Sequence, residues 1–232
     1  LASAFGCQIG KMPFTYLGLP LGTTKPTMTD LLPLVDRVEI RLSSTCSLLC
    51  HASRITLVNS AATSMINFAM CTLQLNVGFI NYFDRVRRRF VWTKKNEQGE
   101  SCNSLASWSM ICKPKECGGM GISDLRTQSD ALLLKFLHKF YNRHDIPWVH
   151  LIWDYYYGDT IPHAHDSCGS FWWKDLTHLM PTYCGVTHIK IGNGSSALFW
   201  KDNWSQSIYA DSCPRAYSYA TFEDISVKQL LM

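Results

Sequence analysis

The longest uncharged stretch of the chain constrains its fold more than any other feature. No residue between Arg54 and Asp84 carries a charge, and this length is enough to span a bilayer. Polar side chains interrupt the stretch, however, and each would need a hydrogen-bond partner inside hydrocarbon. They are Asn59, Ser60, Thr63, Ser64, Asn67, Thr72, Gln74 and Asn76. We therefore predict a buried helix in a soluble protein, and no membrane partner.

Apolar residues recur at helical spacing elsewhere, which predicts a mainly α (α+β) fold. The first helix is expected from Thr29, with Leu31, Leu34, Val35, Val38 and Leu42 on its inner side. Further helices are predicted over about 78–92 and 127–142, the latter with an apolar side at Ala131, Leu132, Leu134 and Phe136. Shorter helices are expected after Pro147 and over 170–179.

Glycine and proline punctuate two segments that have the pattern of short strands. Near the N-terminus, Phe14, Tyr16, Leu17 and Leu19 lie among Gly18, Pro20 and Gly22, which predicts a hairpin. A second hairpin is predicted near residues 187–200, around the turn at 192–194. The segment 96–104 between helices is expected to be a polar loop.

The charge of the chain is unevenly distributed. Residues 1–100 contain 11 basic and 6 acidic side chains, a net charge of +5, whereas residues 101–232 contain 11 and 12, a net charge of −1. The ten cysteines are scattered singly along 232 residues, which favours reduced thiols and an intracellular, cytoplasmic or nuclear protein over a secreted one. No signal peptide is recognisable at the N-terminal end.

The sequence contains two groups of cations, and the first is a candidate for contacts with nucleic-acid phosphates. The first comprises Arg85, Arg87, Arg88, Arg89, Lys94 and Lys95, six cations within eleven residues that lack an acid and include Phe90 and Trp92. The second comprises Lys135, Lys139 and Arg143, spaced four residues apart along one edge of a helix. The alternative for the first group is a solvated helix face paired with acids elsewhere in the fold.

Catalytic and metal-binding patterns are weak in this sequence. Two-metal phosphoryl transfer needs closely spaced carboxylates, but the chain contains no Asp-Asp, Asp-x-Asp or Asp-x-Glu. Cys112 with Cys117, and His163 with His165 and Cys168, have suitable atoms but not the usual zinc-ligand spacing. We therefore predict no catalytic residues, no metal site and no cofactor of its own.

The order of several motifs resembles the C-terminal part of reverse transcriptases encoded by plant non-LTR (LINE-type) retrotransposons. The most specific match is WSMICKPKECGGMGI at 108–122, where Ile111 and Met120 replace a Val and a Leu of the family pattern. In the helix motif ASRITLVNS at 52–60, Ser53 replaces the usual Gly. The other matches follow in the family's order: PFTYLGLPLG at 13–22, RFVW at 89–92, ALLLK at 131–135, SFWWKD at 170–175 and GNGS at 192–195 followed by FW at 199–200.

The resemblance implies a fragment that grips nucleic acid and performs no bond chemistry. Its three expected parts are a palm-end hairpin remnant (1–25), a helical thumb-like domain (26–157) and a connector with a short helix and a β hairpin (158–232). The primer-grip-like turn would consist of Tyr16, Leu17, Gly18, Leu19 and Pro20. The family's catalytic aspartates, which hold Mg²⁺, would lie before Leu1, and its zinc-binding segment after Met232.

The implied partners are an RNA or RNA/DNA duplex and the palm and fingers of a parent RNA-directed DNA polymerase. On this interpretation the basic side chains follow the duplex backbone. Two alternatives stay open at this point: a functionless retroelement remnant that has lost its duplex, and a zinc-dependent interaction module.

Overall fold

The computed structural model describes residues 6, 10–45, 48–96, 99–102, 104–158, 162, 168–195, 197–205 and 207–231, with 94–96 and 99–102 described by their backbone alone. The fold is mainly α, which confirms the predicted class. Contacts divide the chain into unit 1, Leu1–Leu133, and unit 2, Leu134–Met232. The three-part division at residues 25 and 157 stays a prediction.

Unit 1 begins with the predicted hairpin. Strands β1 (Phe14–Tyr16) and β2 (Leu19–Leu21) are antiparallel, with Tyr16 opposite Leu19. Both residues of the connecting turn have positive φ, 50° at Leu17 and 83° at Gly18. Such two-residue turns match the twist of the strands that they join.

Helix α1 (Met28–Ser43) confirms the first helical prediction. The Thr27 backbone N–H donates to the Asp30 carboxylate at 2.8 Å, so the first turn is capped. All five predicted inner residues are buried: Leu31, Leu34, Val35, Val38 and Leu42.

The uncharged stretch forms two separate helical segments. The first consists of α2 (His51–Leu57), a first π-helix (Val58–Ala62) and α3 (Thr63–Thr72) in direct succession. Four residues separate this segment from α4 (Val77–Trp92). The N-cap of α4, Asn76, accepts a hydrogen bond from the Phe79 backbone N–H at 2.6 Å. Among the described residues, no helix is both long and apolar enough to cross a membrane.

The core of unit 1 lies between α1, α3 and α4. Its central side chains are fully buried, among them Val38, Ile66, Met70, Phe79 and Phe83. Burial of this much aliphatic and aromatic surface is the main stabilising contribution to the unit.

The expected polar loop at 96–104 is wrong. Strands β3 (Thr93–Asn96) and β4 (Gly99–Cys102) pair antiparallel there, with Thr93 opposite Cys102. The short helix α5 (Trp108–Ile111) and a 3₁₀ turn (Lys115–Cys117) follow. Gly119 lies directly against the Lys113 carbonyl, where a Cβ atom would collide with backbone, so this turn requires glycine.

Helix α6 (Leu125–Tyr141) begins in unit 1 and ends in unit 2. Its existence confirms the prediction, but its predicted apolar side is wrong because Ala131 is exposed and Leu132, Leu134 and Phe136 are only partly buried. The buried side consists of Leu125, Ser129, Leu133, Leu137 and Phe140, at steps of four, four, four and three.

Unit 2 has an aromatic core. Helix α7 (Pro147–Ile152) continues into a second π-helix (Trp153–Tyr157), and α8 (Phe171–Thr177) follows, as predicted in outline. Phe140 stacks on Trp153 with ring centroids 4.6 Å apart and lies 4.7 Å from Trp173. Four more helices complete the unit: α9 (Met180–Val186), α10 (Tyr209–Ser212), α11 (Pro214–Tyr217) and α12 (Val227–Leu231).

The predicted hairpin near residues 187–200 is wrong. Its flanks pair with other segments: the Ile189 N–H donates to the Asn203 carbonyl, and the Phe199 N–H donates to the Ile225 carbonyl. The described part of this region contains a single bridge, between Leu198 and Ser226, and no strand. A local turn signal failed because more distant partners satisfy the backbone.

Candidate nucleic-acid interface

Three of the predicted basic residues form an exposed patch on α4. Arg85, Arg88 and Arg89 lie at helical positions i, i+3 and i+4, so their side chains leave the helix on one side, and all three are exposed. We call these three residues the arginine face. The opposite side of α4 packs Phe79, Phe83 and Phe90 into the core, which fixes the direction of the face.

Arg87 does not belong to this surface, and its prediction as a nucleic-acid contact is wrong. Its side chain is fully buried. One guanidinium nitrogen donates to the Asp84 carboxylate at 2.8 Å and another to the Ser123 carbonyl at 2.9 Å. Burial raises the pKa of Asp84, and the neighbouring Arg87 guanidinium opposes that rise. Arg87 therefore holds together α4 and the segment that leads into α6.

An open groove in unit 1 adjoins the arginine face. It has a volume of about 1020 Å³, and its lining includes the cations Arg88, Lys113 and Arg126 and the acids Asp84 and Asp124. The Arg126 guanidinium donates to the Asn81 side chain at 2.8 Å, which positions this cation beside α4. The Arg88 guanidinium lies 5.7 Å from the centre of the Trp108 ring, within cation–π range.

Sequence reasoning missed Lys113 and Arg126 because neither belongs to a run of basic residues. The only available signal for Lys113 was the turn motif that contains it. The contact between Arg126 and Asn81 joins residues 45 positions apart, so no local pattern could reveal it.

Lys94 and Lys95 lie in strand β3, and their side chains are outside the described part of the structure. In the hairpin register, Lys94 is opposite Ser101 and Lys95 is opposite Glu100. The strand continues directly from the C-terminal end of α4. Whether their ammonium groups join the arginine face stays a prediction.

The second predicted group of cations belongs to unit 2. Lys135 is exposed, whereas the Lys139 ammonium lies 5.8 Å from the centre of the Phe136 ring. Arg143 follows the end of α6 with a positive φ of 44°, and its guanidinium lies 4.2 Å from the centre of the Trp153 ring. Lys139 and Arg143 thus lie beside aromatic rings, whereas Lys135 is simply exposed.

The predicted primer-grip-like turn is the tip of the β1–β2 hairpin. Tyr16 and Leu17 are largely exposed, with 60% and 70% of their surface accessible, and Leu19 points into the core. Pro20 is partly buried, and the Arg37 guanidinium lies beside Gly18. The turn presents apolar side chains to solvent, and its role as a primer grip stays a prediction.

The candidate metal ligands do not assemble within the described residues. There, no group of three or more His, Cys, Asp or Glu side chains could hold a metal ion. Cys112 is half-buried, and burial raises its pKa to about 11, while Cys117 is exposed. His163 and His165 lie outside the described residues.

Comparison with known proteins gives one informative similarity. No family model matches the chain. Over 178 residues it is 27% identical to an Arabidopsis thaliana protein named "Putative ribonuclease H protein At1g65750". The match covers 74% of this chain and 28% of that protein, so the chain spans less than a third of the relative's length. The chain is thus similar to one part of a larger plant protein that is named as a ribonuclease H protein.

Proposed function

We propose that this chain is a non-catalytic fragment of a retrotransposon reverse transcriptase and that it positions a primer–template duplex. The observation that carries the proposal is the arginine face: three exposed guanidinium groups on one side of a helix whose other side is anchored in the core. Arginines arranged in this way suit the phosphates of a duplex backbone, which every sequence shares.

The similarity to the Arabidopsis protein supports nucleic acid as the partner class, because a ribonuclease H is named for action on RNA. The order of motifs from the hairpin at 13–22 to the segment at 192–200 supports the narrower proposal of a reverse-transcriptase thumb and connector. The proposed partners are an RNA or RNA/DNA duplex and the palm and fingers of the parent enzyme. We expect no primer extension by this chain, because its sequence contains no Asp-Asp, Asp-x-Asp or Asp-x-Glu pattern of the kind that holds two metal ions.

The arginine face is tested by measuring how salt affects duplex binding. Replacing Arg85, Arg88 and Arg89 with Ala should weaken binding to a labelled RNA/DNA duplex about equally for any sequence. It should also flatten the slope of log affinity against log salt by up to about 2.7, because each phosphate contact contributes about 0.9. Fluorescence anisotropy at several salt concentrations gives both quantities.

A variant with the same loss of charge provides the control. Arg41, Lys190 and Arg215 are exposed residues outside α4 that belong to none of the candidate surfaces, and their replacement by Ala should change the slope much less. Equal effects of the two triple variants would show that only net charge matters. An unchanged slope in the arginine-face variant, with its circular dichroism intact, would favour the functionless remnant.

A further inference from the structure

Unit 2 exposes an apolar helix face that a soluble protein would normally cover. Trp148, Leu151 and Tyr155 recur at steps of three and four along α7 and the second π-helix, so they share one side. Leu151 is 67% exposed and Tyr155 is 78% exposed. The neighbouring Tyr156 is 41% exposed, and its ring centroid lies 5.0 Å from that of Tyr155. Large apolar side chains grouped at the surface mark a binding site more often than chance exposure.

Aromatic rings from two other helices extend this face. Trp148 makes edge-to-face contacts with Phe136 of α6 and Trp172 of α8, with centroids 6.0 and 5.6 Å apart. Phe136 and Trp172 are in turn 5.2 Å apart, which closes a triangle of rings. All three side chains are only partly buried, so the rings fix one another and still reach the surface.

Cations accompany these rings. The Lys139 ammonium lies over Phe136, and Lys135 is exposed one turn earlier on α6. The Arg143 guanidinium stacks on Trp153 and donates to the Gly158 carbonyl at 3.4 Å, so it contacts the residues on either side of the exposed tyrosine pair. Two acids are close in sequence: the carboxylate of Asp145 contacts His150 at 2.9 Å, and Asp154 is exposed.

We propose that this surface binds single-stranded nucleic acid by base stacking. We call it the stacking surface and define it as Trp148, Leu151, Tyr155 and Tyr156 together with Lys135, Lys139 and Arg143. Unpaired bases stack on exposed aromatic rings while neighbouring cations hold the phosphates. In a duplex the faces of the bases are stacked on one another, so they are not available to exposed tyrosine rings. The inference goes beyond the duplex contact proposed above and depends on different residues.

The tyrosine pair is the part of the surface that stacking requires most directly. In the full chain, replacing Tyr155 and Tyr156 with Ala should weaken binding to labelled (dT)20 at least about fivefold for each stacked base that is lost. Replacing both with Phe should retain binding, because phenylalanine keeps the ring. Tyr219 is 87% exposed in the same unit, and Tyr219→Ala should leave binding unchanged.

The outcomes separate this inference from the proposed duplex function. Absence of (dT)20 binding by the unmodified chain would overturn it, as would equal binding by the Tyr155/Tyr156 alanine variant and Tyr219→Ala. Loss of binding in the Phe variant would also overturn it, since a hydroxyl contact would then be responsible. Single Tyr155→Ala, checked by thermal unfolding, serves if the double variant does not fold. Duplex binding should be unaffected by these substitutions. It is tested instead by the variant of the arginine face, so either proposal can be overturned without the other.

Discussion

Helix α4 carries a group of three exposed arginines, and α6 with the residue Arg143 just after it carries a second group of three cations, yet the surroundings of the two groups are different. On α4 the aromatic residues Phe79, Phe83 and Phe90 are buried, and the arginine face projects away from them. In unit 2, Lys139 lies over the partly exposed Phe136, and Arg143 flanks the exposed Tyr155 and Tyr156. A run of basic residues therefore does not by itself indicate the surroundings of their side chains. Exposed aromatic rings beside the charges are the feature by which the proposed single-strand contact differs from the proposed duplex contact.

A second difference concerns the basic residues that do not reach solvent. Arg87 is fully buried beside Asp84, whereas Arg85, Arg88 and Arg89 in the same helix are exposed. Four arginines within five residues thus divide into one that is buried in an ion pair and three that are exposed. Replacing the buried arginine should lower the free energy of unfolding, whereas replacing the exposed arginines should change the binding of nucleic acid.

The largest expected effect comes from breaking the buried ion pair. Arg87→Ala should reduce the free energy of unfolding by about 3–5 kcal/mol, because it leaves the Asp84 carboxylate partly buried without its cation. Arg85→Ala should change it by less than about 0.5 kcal/mol. Urea unfolding followed by circular dichroism measures both. If the two variants are equally stable, Arg87 belongs with the exposed arginines after all.

The difference between the two groups of cations can be tested by measuring the salt dependence of duplex and (dT)20 binding for two triple variants. Alanine at Arg85, Arg88 and Arg89 should flatten the salt slope for duplex far more than that for (dT)20. Alanine at Lys135, Lys139 and Arg143 should do the reverse, lowering the (dT)20 slope by up to about 2.1, because each single-strand phosphate contact contributes about 0.7. Parallel changes in both slopes would show that the two groups of cations act as one general basic surface, which does not distinguish a duplex from a single strand.

The smallest expected effect is a loss of stability at high pH. Burial raises the pKa of Cys112 in unit 1 and of Cys184 in unit 2 to about 11, above the ordinary thiol value. Because both pKa values are higher in the folded state, their contribution is complete at neutral pH and is lost as the pH rises through about 11. Urea unfolding at pH 7.5, 9 and 10 should show this decline.

A double variant tests the source of that decline. Cys112→Ala with Cys184→Ala should make the free energy of unfolding less dependent on pH, whereas Cys117→Ala with Cys213→Ala, which alters exposed thiols, should not. Burial also raises the pKa of Tyr141 and Tyr183, so some alkaline sensitivity should persist in the double variant. An identical pH dependence in all three proteins would contradict the assignment to the thiols.

The elements that the sequence predicts well are those whose core side is continuous in the chain. Helix α1 is an example, since every member of its predicted stripe is buried. The β3–β4 hairpin was missed because Lys94, Lys95 and Glu100 interrupt any alternation of apolar residues. The predicted hairpin near 187–200 failed for the opposite reason, since its turn is favourable but its flanks pair with Asn203 and Ile225.

The sequence contains part of the information that divides the candidate residues into buried and exposed ones. Arg87 follows Phe83 by four residues and precedes Phe90 by three, so helical geometry alone places it on the buried side of α4. The run of arginines around Arg87 points the other way, because adjacent cations are typical of an exposed surface. The contact of Arg143 with Trp153 was not available, because it depends on how the chain turns after α6.

The first π-helix has a consequence for how the length of this chain can vary. Its wider turn accommodates one residue more than an α-helix would, and its Asn59 side chain contacts the backbone at Gly121 and Ser123. Deleting the exposed Ser60 would let the helix close into regular α geometry while Ile66 and Met70 keep facing the core. A deletion within α1 would instead rotate every later core residue of that helix by about 100°. In an alignment of relatives, a one-residue gap is therefore expected at 58–62 and not at 28–43.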